Sequence, residues 1–296
     1  DKGRCVTQPV SLRQRAEEQS ARLPPLLARA EHLAGTVLLG DHGRRKAGLG
    51  DDFWQYRPAQ PGDSRRMIDH RRSARGDMQF VREREWQIAQ SVMLWVDQSA
   101  SMRFASTKDL PQKSDRARLL GLAIAILLVR GGERVGLTGT SLPPRRGNPQ
   151  ILRLAEAFSQ DSDVDYAAPE SRAMIPHARA VFISDFMGDI TGARMALTKA
   201  ADRGIKGALV HVLDPAEESF PFQGRTIFES IGGTLVHETL KANELKARYL
   251  DRLAARKDEL QSLCASTGWQ YSVHHTSDSA QSALLWLYRA LDGGRI

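Results

Sequence analysis

From Trp86 onward the chain alternates short apolar runs with longer helical stretches, and no other property restricts its fold as strongly. The apolar runs are Val92–Val96, Arg134–Thr140, Ala180–Ile183, Ala208–Leu213 and Trp269–His274. Between and after them, Ser114–Arg130, Ile151–Phe158, Thr191–Asp202, Glu244–Cys264 and Ser279–Leu291 carry apolar residues at helical spacing. Strands separated by helices of about ten residues or more are joined by crossovers rather than hairpin turns. The expectation is an α/β fold with a doubly wound, mostly parallel sheet over residues 86–296. Residues 1–85 form a smaller N-terminal elaboration.

Local signals set the boundaries. Ser114 or Asp115 is placed to cap the first helix, and Gly131-Gly132 stops it. Glu229 to Glu238 predicts a short strand or hairpin around Gly232-Gly233. Within the first 40 residues, Gln14 to His32 predicts two short helices kinked at Pro24-Pro25, and Thr36–Leu39 a short strand. Asp63 is a candidate cap for a further short helix, and Met78–Arg84 alternates as a strand does.

Composition narrows the setting. Hydrophobic residues make up 41% of the chain, enough for a core. The longest apolar run, Leu119 to Val129, falls short of the roughly 18–20 residues that span a bilayer. Two cysteines, Cys5 and Cys264, cannot build a disulfide framework, so a reducing cytoplasm is expected. An anchor beyond either end is left open. The net charge of +7 is concentrated before the first strand, in Arg44, Arg45, Lys46, Arg57, Arg65, Arg66, Arg71, Arg72, Arg75, Arg82 and Arg84. Asp51, Asp52, Asp63, Asp69, Asp77, Glu83 and Glu85 are interleaved with them, which favours internal salt bridges over a nucleic-acid surface. No GxxxxGK[ST] run is present, so a nucleotide phosphate loop is unsupported.

The chemistry gathers where the first apolar run ends, in SVMLWVDQSASM. Asp97, Ser99 and Ser101 follow the strand at alternate positions, and a tight loop can bring them to one point. A carboxylate and two hydroxyls are hard oxygen donors that suit Mg²⁺, Mn²⁺ or Ca²⁺. Asp185 follows the later run AVFIS in the same way. In a doubly wound sheet, ligands sit beyond the carboxyl ends of the strands where strand order reverses. Asp97, Ser99, Ser101 and Asp185 are therefore the candidate metal ligands.

The same carboxylates would also suit a metal-dependent hydrolase or phosphotransferase. That chemistry wants a second acid two residues after the first, where this chain has Ser99. Neither HExxH nor GxSxG occurs, and His70, His177, His211, His237, His274 and His275 have no ligand or triad spacing. His211 reads as a strand-face residue. A binding role, not an enzymatic one, is expected.

The DxSxS run with a downstream strand-end Asp resembles the metal-ion-dependent adhesion site (MIDAS) of von Willebrand factor A (vWA) domains. The resemblance implies a vWA/Rossmann-like domain. It also implies a divalent cation, usually Mg²⁺, held by Asp97, Ser99, Ser101, Asp185 and a middle-loop Thr. An open position would take an acidic residue of a protein partner. Here residues 159–176 offer Ser159, Ser162 and Ser171 but no Thr, and Thr138 and Thr140 lie earlier. Upstream, Tyr56-Arg57-Pro58, Pro61-Gly62-Asp63, Arg66, Ile68-Asp69, Ser73-Ala74-Arg75 and Val81-Arg82-Glu83 resemble the signature of the bacterial family called domain of unknown function 58. His70 stands where that pattern has Trp, and Ala59-Gln60 lengthens one spacing. This second resemblance implies a partnership with a MoxR-type AAA+ ATPase and an adaptor role in assembling or activating other proteins. Neither nucleic acid nor a membrane span is expected to take part.

Overall fold

The structure is a computed structural model and describes residues 24–41, 54–58, 80–84, 90–221, 226–229, 236–239 and 242–292. In chain order the elements begin with α1 (Pro24–Asp41), β1 (Trp54–Pro58), β2 (Phe80–Arg84), β3 (Ser91–Val96) and a 3₁₀ turn (Ala100–Arg103). Next come α2 (Lys113–Arg130), β4 (Arg134–Leu137), α3 (Asn148–Phe158), β5 (Arg179–Ser184), α4 (Ile190–Asp202) and β6 (Lys206–Leu213). The remainder is α5 (Pro215–Ser219), β7 (Thr226–Glu229), β8 (Val236–Thr239), α6 (Ala242–Thr267), β9 (Gln270–His275) and α7 (Ala280–Asp292).

Five strands form the central sheet in the order β4-β3-β5-β6-β9, and every neighbouring pair is parallel. After β3 the chain crosses to β4 on one edge, then returns to lay β5 on the other side of β3. The doubly wound α/β architecture read from the sequence is the one observed, and its switch point lies between β3 and β5.

Both faces of the sheet are covered, which is why its strands read as nearly continuous apolar runs. Leu94, Val96, Val181, Ile183, Val210 and Val212 face α2, α3 and α7, packing with Leu120, Ile124, Leu154, Phe158, Leu284 and Leu287. Met93, Ala180, Phe182 and Leu209, one residue out of phase, pack with Ala196, Leu197 and Ala200 of α4 and with Leu260 and Cys264 of α6.

Three expectations are corrected. The second of the two expected helices opens at Pro24-Pro25 and runs past His32 to Asp41, because the first helical turn needs no N–H donor and suits the fixed φ of proline; the first lies outside the described residues. Thr36–Leu39 is the continuation of that helix, not a strand. Ala30, Ala34 and Val37 stand at helical spacing and join the core, and the Thr36 hydroxyl donates to the Leu33 carbonyl at 2.7 Å. Third, α2 begins at Lys113, with Gln112 rather than Ser114 or Asp115 in the cap position.

The described residues up to Leu39 group with those from Gln90 onward, and residues 40–89 form a separate unit. The sequence-based boundary at residue 85 had placed α1 with the N-terminal elaboration. Within the smaller unit, β1 and β2 pair antiparallel with Tyr56 opposite Arg82. The strand expected over Met78–Arg84 is described from Phe80, whereas β1 carried no strand signal. The helix expected after Asp63 lies outside the described residues. β7 and β8 pair antiparallel on either side of the Gly232-Gly233 turn signal, which itself lies outside the described residues. Among the described residues no helix is long and apolar enough to cross a membrane.

Candidate cation site

Asp97 is the first residue past β3, and its N–H still donates to the Ile183 carbonyl of β5 at 2.9 Å. The chain then turns. The Ser99 N–H donates to Asp97 Oδ1 at 2.8 Å, a local Asx turn that bends the backbone out of the strand. The Ser99 and Ser101 hydroxyl oxygens come to 3.2 Å of each other. Asp185 is the first residue past β5, its Oδ1 accepts from Met187 N–H at 3.1 Å, and the Ser101 hydroxyl is near enough to favour its charged form. All four residues named from the sequence therefore meet at the switch point. Asp97, Ser99 and Asp185 are no more than 1% exposed, and Ser101 is half-buried.

The loop over residues 159–176 fixes the turn from outside. The Val164 carbonyl accepts from Ala100 N–H at 2.8 Å, and the Asp165 carbonyl from Ser101 N–H at 3.0 Å. In the same loop, Ser162 N–H donates to the Gln98 carbonyl at 3.0 Å. No Thr enters from this loop. Thr140 spends its hydroxyl on the Leu137 carbonyl, and the Thr138 hydroxyl is buried with no hydrogen-bond partner among the described residues.

Four residues at the site escaped the sequence reading. Ser184 donates its hydroxyl to Asp97 Oδ2 at 2.6 Å and accepts from Phe186 N–H at 2.9 Å. Lys113, the first residue of α2, sends its ammonium to Asp185 Oδ2 at 2.9 Å and to Glu217 Oε1 at 2.6 Å. Glu217 closes a capping box with Asp214 at the start of α5. Asp214 Oδ2 accepts from Ser106 N–H at 2.9 Å, tying α5 to the loop before α2. The DPAE spacing of Asp214 to Glu217 was a readable helix-start signal. Nothing local marked Lys113 as a site residue.

The two strand-end carboxylates have opposite electrostatics. Burial raises the pKa of Asp97, and the bonds from Ser184 and Ser99 offset this only in part. No Lys or Arg side chain bonds to it among the described residues. Burial opposes ionisation of Asp185 as well, but the Lys113 ammonium beside it holds that carboxyl below the usual range. Burial also disfavours charge on Lys113, yet Asp185 and Glu217 hold its pKa above the usual lysine value. Glu217 is raised by burial, which Lys113 partly counters.

A divalent cation fits this donor set. Asp97 is a buried carboxylate with two hydrogen bonds and, among the described residues, no counter-charge, a state that cation binding relieves. Asp185 and Glu217 share the Lys113 ammonium, and Asp97 does not bond to it. The set is hydroxyl-rich: among the described residues no group of three or more His, Cys, Asp and Glu side chains is placed to hold a metal. Among the described histidines, His211 lies beside the cluster, opposite Ser184 across the β5–β6 pair and within electrostatic reach of Asp185. His211 is buried in β6, shares a hydrogen with the Tyr271 hydroxyl at 2.9 Å, and is pushed by burial down to about 3. His275 bonds to Glu218 at 2.7 Å.

Fold and site together define an α/β domain with an oxygen-rich side-chain cluster at the switch point of its sheet. The family model described as "Protein of unknown function DUF58" matches residues 55–259, and the chain belongs to that family. Uncharacterised proteins of Mycobacterium bovis and Mycobacterium tuberculosis are 30% identical over 217 residues, covering 68% of this chain and 67% of theirs. Among solved structures, the conserved hypothetical protein BatB of Bacteroides thetaiotaomicron matches 70% of this chain and all of its own. It does so at 17% identity and a TM-score of 0.41. An aerotolerance-related membrane protein of Bacteroides fragilis matches 69% of this chain and all of its own, at 18% identity and a TM-score of 0.41.

Proposed function

We propose that the switch-point cluster is a cation-dependent docking site for an acidic side chain of a partner protein, and that the chain acts as an adaptor rather than an enzyme. The observation that carries this reading is Asp97, buried and hydrogen-bonded but without a counter-charge among the described residues. Asp97 with the Ser99 and Ser101 hydroxyls would hold the cation, and Asp185 stands beside them. Mg²⁺ is the first choice, with Mn²⁺ or Ca²⁺ as alternatives, because all the donors are oxygen. When bound, the cation supplies a positive centre that a partner's carboxylate can complete. The chain's own part is to fix the oxygens: Ser184 and Ser99 N–H orient Asp97, and the carbonyls of Val164 and Asp165 hold the serine turn.

Val164 and Tyr166, on the loop that holds this turn, are 59% and 49% exposed and offer apolar surface to a docked protein. The family pattern supports a MoxR-type AAA+ ATPase as the partner, in assembly or activation of other proteins. A reducing cytoplasmic setting suits Cys264, which is buried and unpaired.

Titration calorimetry with Mg²⁺ tests the reading. The wild type should bind saturably. Asp97→Ala should remain folded and lose the binding heat. Unchanged binding in the variant contradicts the assignment.

A further inference from the structure

Among the described residues Lys113 is the only Lys or Arg that is buried. Its ammonium lies between Asp185 Oδ2 and Glu217 Oε1, with the Phe104 ring centroid 5.7 Å away. The other Glu217 oxygen accepts from Asp214 N–H at 2.8 Å, so the lysine joins α2, the end of β5 and α5 in one polar cluster. Asp97 has no such partner among the described residues.

We infer that Lys113 sets the affinity of the site for divalent cations: its ammonium is a built-in cation that claims Asp185. This deepens the docking proposal and rests on it. For Asp185 Oδ2 to enter a metal's coordination sphere, its bond to Lys113 must loosen. The ammonium would then be left enclosed near an incoming double positive charge. At buried separations of a few ångströms that repulsion is large. Direct coordination is therefore left to Asp97, Ser99 and Ser101, and Asp185 stays paired with the ammonium. A three-oxygen site facing a fixed ammonium binds weakly and yields its cation readily. The lysine also keeps Asp185 neutralised between binding events.

The test compares the full-length wild type with Lys113→Met and with Lys113→Met/Glu217→Gln, each by Mg²⁺ calorimetry and by melting in EDTA and in Mg²⁺. The double variant removes one negative charge along with the ammonium, so it stays informative if the single variant fails to fold without metal. Lys113→Met should melt lower than wild type in EDTA and gain more from Mg²⁺. Both variants should bind Mg²⁺ about tenfold more tightly or better, since an opposing buried charge is gone. Wild-type binding with equal or weaker affinity in both variants overturns the role of Lys113 and leaves the docking proposal standing. A silent wild type beside a binding variant upholds Lys113 as the restraint and overturns cation dependence in the native chain. No binding in any of the three overturns both.

Discussion

Asp97 and Asp185 occupy equivalent places at the ends of adjacent strands, yet Lys113 neutralises only one of them. The ligand candidates were legible because each sits in a local pattern, an apolar run that stops at an acid. Lys113 and Glu217 were not: Lys113 lies 72 residues from Asp185 and 104 residues from Glu217 along the chain, and only the closed fold joins them. A second polar contact invisible in the sequence gives a prediction at this scale. His274 is buried on β9, with its Nε2 3.2 Å from an Arg116 guanidinium nitrogen. Burial first, and Arg116 next, push its pKa from 6.5 down to about 4. The unfolded chain takes up a proton that the folded chain refuses, so the contribution of His274 is intact above pH 6.5 and is lost as pH falls toward 4. His274→Gln should flatten the acid-side loss of stability by up to about 1.4 kcal/mol per pH unit in that window. Urea denaturation at a series of pH values measures this; an unaltered slope contradicts it.

At the scale of elements, hydrophobic periodicity located all five strands of the central sheet and the helices that cover it. It failed where a competing rule governed. Thr36–Leu39 is β-branched and apolar enough to read as a strand, but the helical spacing of Ala30, Ala34 and Val37 against the core decides the element. β1 was missed because its partner β2 lies more than twenty residues away and the pairing is not a tight hairpin. Helix α2 presses closely on the strand that carries the site. A methyl group at Gly121 would come to 2.6 Å of Val96 Cγ2, with Phe158 at 3.4 Å behind it. Neither neighbour is a flexible side-chain end. Gly121→Ala should therefore destabilise the protein by about 1–3 kcal/mol despite its better helix propensity, as overpacked cores do. Because Val96 directly precedes Asp97, the variant should also weaken cation binding. Chemical denaturation gives the first effect; a stabilised Gly121→Ala protein would contradict the close packing.

For the whole molecule, the strand order turns two distant acids into one site. A doubly wound sheet reverses direction between β3 and β5, and the loops after those strands open onto the same crevice. The alternation of elements made that arrangement readable, although the order of strands rested on the commonness of the topology. The grouping of α1 with the sheet was not readable, because a helix at the start of a chain carries no local mark of what it packs against. Diffraction from crystals grown with Mn²⁺, using its anomalous signal, tests the account most directly. The account predicts one strong peak bonded to Asp97 and to the Ser99 and Ser101 hydroxyls, with the Lys113–Asp185 ion pair still in place. A map with no peak at that turn, or with the metal seated elsewhere on the chain, contradicts it.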